Sequence, residues 1–256
     1  MGRDDFKRDE ARLKQIGRLM SGVRDIQAML ETIAKLESFV PALAQNPVTR
    51  ALRDELEAKC ATAEKKMNGA TIAQAKKLLR GAKDAFTSLD LKRDDFEPLA
   101  ATIEADYRKA RRAYRHAYEA AEDEAFHDWR KYVQRHWRQL LLIMPGWPKA
   151  LRPHVMLARE LSETLGDDHD LYVLSEFIKD APDTFGTEDD TAAFLAACRQ
   201  RQLELRKSAY TLGARLLAEK PGSLAGRIRI YWETASAARE SEAFRDDDNN
   251  VIPLSR

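Results

Sequence analysis

Two cysteines, eleven glycines and nine prolines are few for 256 residues, and each shortage narrows what the chain can be. Cys60 and Cys198 stand far apart, each within a helical pattern, and no CxxC pair suggests zinc. They read as reduced core residues of a cytosolic protein. Few glycines and prolines combined with 33% charged residues favour long surface helices over a sheet. No apolar run reaches the length of a signal peptide or a membrane span. The net charge is only +1, which argues against an indiscriminate nucleic-acid binder; any anion site must come from uneven placement of charge. There is no glycine-rich phosphate loop, and no convincing Ser-His-Asp or Cys-His set.

What is present is helical periodicity, with 44% hydrophobic residues to build a core. The length suits one large domain or two bundles of roughly 100–150 residues. Apolar spacing and Gly/Pro punctuation predict helices near residues 4–20, 23–39, 48–67, 71–88, 99–122, 126–142, 149–165, 170–178, 191–219 and 224–239. Ser21-Gly22 is read as a break. Gly166 is read as a C-cap, with Asp167, Asp168 and Asp170 at the start of the next helix. Ser241–Arg256 reads as a frayed polar tail. No convincing strand appears, so the expected fold is all-α.

The stretch FHDWRKYVQRHWRQLLL, from Phe126, carries the clearest information. As a helix it has one apolar stripe: Phe126, Trp129, Val133, Trp137, Leu140 and Met144. A second stripe carries His127, Lys131, Gln134 and Arg138, with Arg130 and Arg135 beside it. Guanidinium groups fork onto phosphate oxygens and ammonium groups act as point charges, so this strip suits a polyanion. The preceding helix adds Tyr107, Tyr114 and Tyr118 at helical spacing, with Arg108, Lys109, Arg111, Arg112, Arg115 and His116.

The chain also repeats itself. IGRLMSGVRDIQAMLETI from Ile16 and LSETLGDDHDLYVLSEFI from Leu161 align at an offset of about 145. Asp25 then falls on Asp170, behind Arg24 and His169 respectively. A division follows into a first helical half at 1–90, a second at 91–240 that holds the basic histidine helix, and the tail at 241–256. At this offset the partner of the Phe126 helix would lie before Met1, so the first half reads as lacking its opening helix.

These motifs, with DYRKARRAY from Asp106, resemble the CHAD family of helical domains named for their histidines. The resemblance covers nearly the whole chain and weakens after about Ala181. It implies an all-α fold of two pseudo-twofold bundles and a basic groove that binds inorganic polyphosphate. It also implies a binding module that is not an enzyme, needs no cofactor and is cytoplasmic, at polyphosphate granules. His127, Arg130 and Lys131 match the family's His-x-x-Arg-Lys core. Tyr107, Arg108, Arg111 and Arg112 match its Tyr-Arg helix, and Arg24, His169 and Asp170 its two Arg/His-Asp motifs. Arg135 and Arg138 extend the strip. Gln134 stands where a lysine is usual, which removes one cation. A membrane partner is not expected, and self-association is left open.

Two other readings use the same residues. A nucleic-acid or general polyanion binder would use the arginines, although no recognisable reading helix is present. A metal-dependent phosphohydrolase would use the pairs His127-Asp128 and His169-Asp170, although Arg130, Lys131 and Arg135 would repel a divalent cation from the first pair.

Overall fold

A computed structural model of the chain describes residues 3–87, 95–181 and 184–248. Among the described residues there are eight α-helices, two short 3-10 helices and no strand, so the fold is all-α. The helices are α1 (Arg3–Phe39), α2 (Pro47–Lys66), α3 (Gly69–Thr87), α4 (Glu97–Ala120), α5 (Asp123–Ile143), α6 (Pro148–Lys179), α7 (Glu188–Leu216) and α8 (Pro221–Asp248). They fall into two compact units.

The first unit comprises Met1–Asp94 and Asp170–Glu204. Its hairpin from α1 into α2 is set by Asn46-Pro47. The Asn46 side chain accepts from the Val48 amide at 2.8 Å, and Pro47 fills the first helical position, where its missing N–H costs nothing. Asn46 Nδ2 also donates to the Asp190 carbonyl at 3.1 Å. The start of α7 is closed by a capping box, in which Thr187 Oγ1 lies 2.6 Å from Asp190 Oδ2 and accepts from the Asp190 amide at 3.2 Å. Ile33, Leu36, Leu52, Leu56, Leu174 and Phe194 are fully or almost fully buried and form the centre of this unit.

The second unit comprises Asp95–His169 and Leu205–Arg256. Here α4 and α5 form a tight pair, with Ile103, Tyr107 and Ala110 facing Trp129, Val133 and Leu140 across one core. Ala121 ends α4 in the left-handed conformation, φ 57°, and its amide returns to Ala117 O. Leu161 and Leu165 of α6, Ala209 and Leu216 of α7, and Ile228 of α8 complete the core.

Several sequence expectations change. The break expected at Ser21-Gly22 is absent, and α1 runs unbroken for 37 residues. Nothing near Gly22 requires glycine there. Gly166 is not a C-cap, because α6 continues through it and absorbs the separate helix expected from Asp170. A Cβ at Gly166 would meet Arg130 Nε at 3.8 Å, so this glycine marks where an α5 side chain lies against α6. α8 extends through Asp248, into what reads as tail, while 249–256 lie outside the described residues. The boundary read between the two halves, at 90–91, lies outside them as well. Cys198 is buried as expected, whereas Cys60 is only half-buried, and both thiols are free. Residues 170–204, read as part of the second half, cluster with the N-terminal helices.

Candidate anion-binding site

On α5 the two stripes separate as the spacing requires. Phe126, Trp129, Val133 and Leu140 are buried, and Trp137 and Met144 pack at the edge of the same core. The polar side begins with His127, whose ring stacks on His169 of α6 at 4.1 Å between centroids and 26° between planes. Arg130 lies one turn along, over Gly166. His127 Nδ1 and Arg130 Nε are buried and meet no hydrogen-bond partner. Lys131 is exposed and held by Asp128 at 2.8 Å.

The electrostatics of this cluster follow from its crowding. Burial lowers the pKa of His127, and the cations Lys131 and Arg130 lower it further, against smaller opposing effects of Asp128 and Glu124. His169 is pushed down to about 4, first by burial and then by His127, Arg130 and Lys131. Both imidazoles are therefore neutral at neutral pH, beside fixed positive charge. An anion placed among them would reverse this balance by favouring the protonated rings.

A cavity of about 290 Å³ opens between α4 and α5. Lys109, Arg112 and His116 line it from α4, and Asp128 and Tyr132 from α5, with Ala113 and Ala125 completing the wall. Asp128 belongs to both places, since it also holds Lys131 of the histidine cluster. Below them the buried carboxylate of Asp106 accepts from Gln139 at 2.8 Å and from Arg135 at 3.2 Å, with Lys109 Nζ at 3.6 Å. This single anion draws cations from both helices toward the α4–α5 groove.

A second buried carboxylate fixes the other side. Arg206 of α7 is buried and donates to Asp168 of α6 at 2.8 Å, and also to Asp123 at the start of α5. Its guanidinium lies over the Phe126 ring at 4.1 Å. Asp168 immediately precedes His169, so the triad sets the register of the helix turn that carries the stacked imidazole.

The residues expected at the site are thus sorted. His127, Arg130 and Lys131 share one turn of α5. Arg112 lines the adjoining cavity, and Arg135 is tied in through Asp106. Arg108 is exposed and paired with Glu104. Arg138 is exposed farther along α5, where Gln134 lies half-buried. Arg111 lies on another side of α4, close enough to the Tyr107 hydroxyl to oppose its rise. Tyr107 itself is fully buried and donates to Leu216 O at 3.0 Å, and burial pushes its pKa up to about 12, so its contribution is packing. Arg24 is exposed on α1, in the first unit. Lys109, His116, Asp106, Asp168 and Arg206 were not singled out as site residues by the sequence. For Asp106 and Arg206 a signal exists, because each places a charge in the helical register of neighbouring core positions.

Among the described residues no three His, Cys, Asp or Glu side chains gather as a metal-ligand set, and no helix is long and apolar enough to cross a membrane. No curated protein and no solved structure matches the chain. A family model described as the CHAD domain matches residues 1–179, and the chain belongs to that family.

Proposed function

We propose that this CHAD-family chain binds inorganic polyphosphate, without catalysis, on the face of α4, α5 and the turn of α6 that carries Gly166 and His169 in the second unit. Family membership is consistent with that ligand. The observation that carries the reading is the set of His127, His169, Arg130 and Lys131, in which the buried Nδ1 of His127 and Nε of Arg130 have no hydrogen-bond partner. A phosphate oxygen supplies the missing acceptor, and a chain of phosphates continues past Lys131 toward Arg112, Lys109 and His116 around the cavity. The protein works as a preformed cationic surface that displaces counterions along the polymer. A cytoplasmic setting at polyphosphate granules follows from this reading.

Titration of long-chain polyphosphate into the purified protein, with single-stranded RNA of matched charge as competitor, tests it. Binding that RNA does not displace is expected. Arg130→Ala with Lys131→Ala should weaken it by at least about tenfold with helicity unchanged, on the scale of losing charge-assisted hydrogen bonds. Unchanged affinity in that double variant places the site elsewhere, and equal displacement by RNA reduces it to a general polyanion surface. Polyphosphate incubated with the protein and a divalent cation should keep its length on a gel; shortening would make the protein a hydrolase.

The histidines give the site a pH dependence of definite sign. Free, both rings hold their protons weakly; bound to polyanion they hold them better. Binding therefore takes up protons, and affinity should rise as pH falls from about 7.5 to about 5.5. His127→Gln should flatten that slope, as measured by repeating the titration in buffers of different ionisation enthalpy.

A further inference from the structure

The N-terminal half of α1 and the whole of α3 form a hairpin arm in the first unit. Glu37 of α1 bonds Arg53 of α2 at 2.8 Å, and Arg12 of α1 donates to the Gly81 carbonyl of α3 at 2.6 Å. As the chain runs forward through α2 and α3 it therefore runs backward along α1. The inner seam of the arm is narrow: Ala75 and Ala82 are buried in it, and Asp9 and Arg12 pair at its edge.

Outside that seam the arm exposes a second apolar line. Phe6, Leu13 and Met20 on α1 are 54%, 43% and 42% exposed, and Ile72, Leu79 and Phe86 on α3 are 40%, 51% and 57% exposed. Each trio repeats every seven residues, so each stays on one side of its helix over two heptads. In the antiparallel register fixed by Arg12 and Gly81, Leu13 falls level with Leu79, Met20 with Ile72 and Phe6 with Phe86. Two helices that pack only on each other need one buried seam. A heptad-spaced line beyond it is the wider apolar face of a helix in a larger bundle.

The charge beside this line selects the occupant. Lys7 and Lys14 on α1, and Lys76, Arg80 and Lys83 on α3, are exposed on the two rims. Glu10, the acid on the α1 rim, is engaged by Lys14 at 2.8 Å. A second copy of so basic an arm would meet like charge along its length.

We propose that this face is a docking surface for an acidic amphipathic helix, which lies between α1 and α3 as the third helix of a coiled coil with its carboxylates against the lysine rims. The surface uses none of the residues of the polyphosphate site and does not depend on that reading.

The probe is a synthetic peptide of about three heptads, with leucine at the core positions and glutamate at the flanking ones. A control carries lysine in place of glutamate. The glutamate peptide should bind the full chain with a Kd in the micromolar range and gain helicity, while the lysine peptide should not. Leu13→Gln with Leu79→Gln, at two half-exposed positions, should weaken binding by at least about tenfold without changing the circular dichroism of the protein. Lys76→Glu with Lys83→Glu should reverse the preference between the peptides. Absence of glutamate-peptide binding, or equal binding of both peptides, overturns the proposal. So does a dimer at micromolar protein concentration that the Leu13→Gln/Leu79→Gln variant abolishes, which would make the occupant a second copy. Phosphatidylglycerol vesicles bound by the wild type and released by that variant would make it a lipid surface.

Discussion

His136 is completely buried between residues of the apolar stripe of α5, and neither ring nitrogen meets a partner. Its ring lies 5.0 Å from that of Tyr107 and 5.8 Å, edge-on, from that of His154. Burial, with a smaller contribution from His154, lowers its pKa to about 3. The folded state therefore holds it neutral across a range in which the unfolded chain, near 6.5, takes up a proton. The sign follows: its contribution to stability is full above about 6.5 and declines as pH falls from there toward 3. Between pH 7 and 5 this one group should remove on the order of 2 kcal/mol. His136→Phe keeps the ring and removes the titration. Urea unfolding at pH 7 and pH 5 should show a smaller loss for the variant than for the wild type; parallel losses would show that other groups set the acid sensitivity. The same reasoning applied to His169, lowered to about 4, links site and stability, because polyphosphate would restore a proton that the free fold excludes.

Between elements, two contacts decide how closely the helices of the second unit approach. Gly213 of α7 faces Trp129 and Tyr114, and a Cβ there would stand 2.7 Å and 2.9 Å from their ring carbons. Gly213→Ala must push aromatic side chains out of a packed core, so a loss of about 1–3 kcal/mol is expected in a denaturant titration. Arg206 joins α7 to α6 and α5 through Asp168 and Asp123. Arg206→Met takes the guanidinium away from the buried Asp168 carboxylate and should cost about 3–5 kcal/mol. Asp168→Asn in the same background should recover part of that loss, which a simple packing defect would not allow. Neither contact was legible in the sequence, because both depend on which helices become neighbours. What was legible is what a single helix carries. The apolar stripe from Phe126 and the His127–Lys131 strip are patterns local to one helix. The breaks at Ser21-Gly22 and Gly166 were misread because glycine in a helix costs only about 1 kcal/mol, which tertiary packing outweighs. Tyr107 enters the expected site only through the resemblance to the family's Tyr-Arg helix, not through its spacing. The acceptor at Leu216, 109 residues away, turns it inward.

At the scale of the whole chain, 43 basic and 42 acidic residues nearly cancel, so affinity for a polyanion must come from local imbalance. In the second unit that imbalance is built around buried acids. Asp106 gathers Arg135 and Lys109, while Arg206 is held by Asp168, which is also buried, and by the half-exposed Asp123. Under the proposed function such a site would bind by local counterion release, without long-range attraction. The logarithm of the polyphosphate dissociation constant should therefore rise linearly with the logarithm of salt concentration, with a slope that counts the cations engaged. Removing Arg130 and Lys131 together should lower that slope by about two, whereas reversing exposed charges of the first unit, such as Lys65 and Lys66 at the end of α2, should leave it unchanged. A slope equally sensitive to both pairs would mean that the ligand reads total charge, and that the histidine cluster has no special part in holding it.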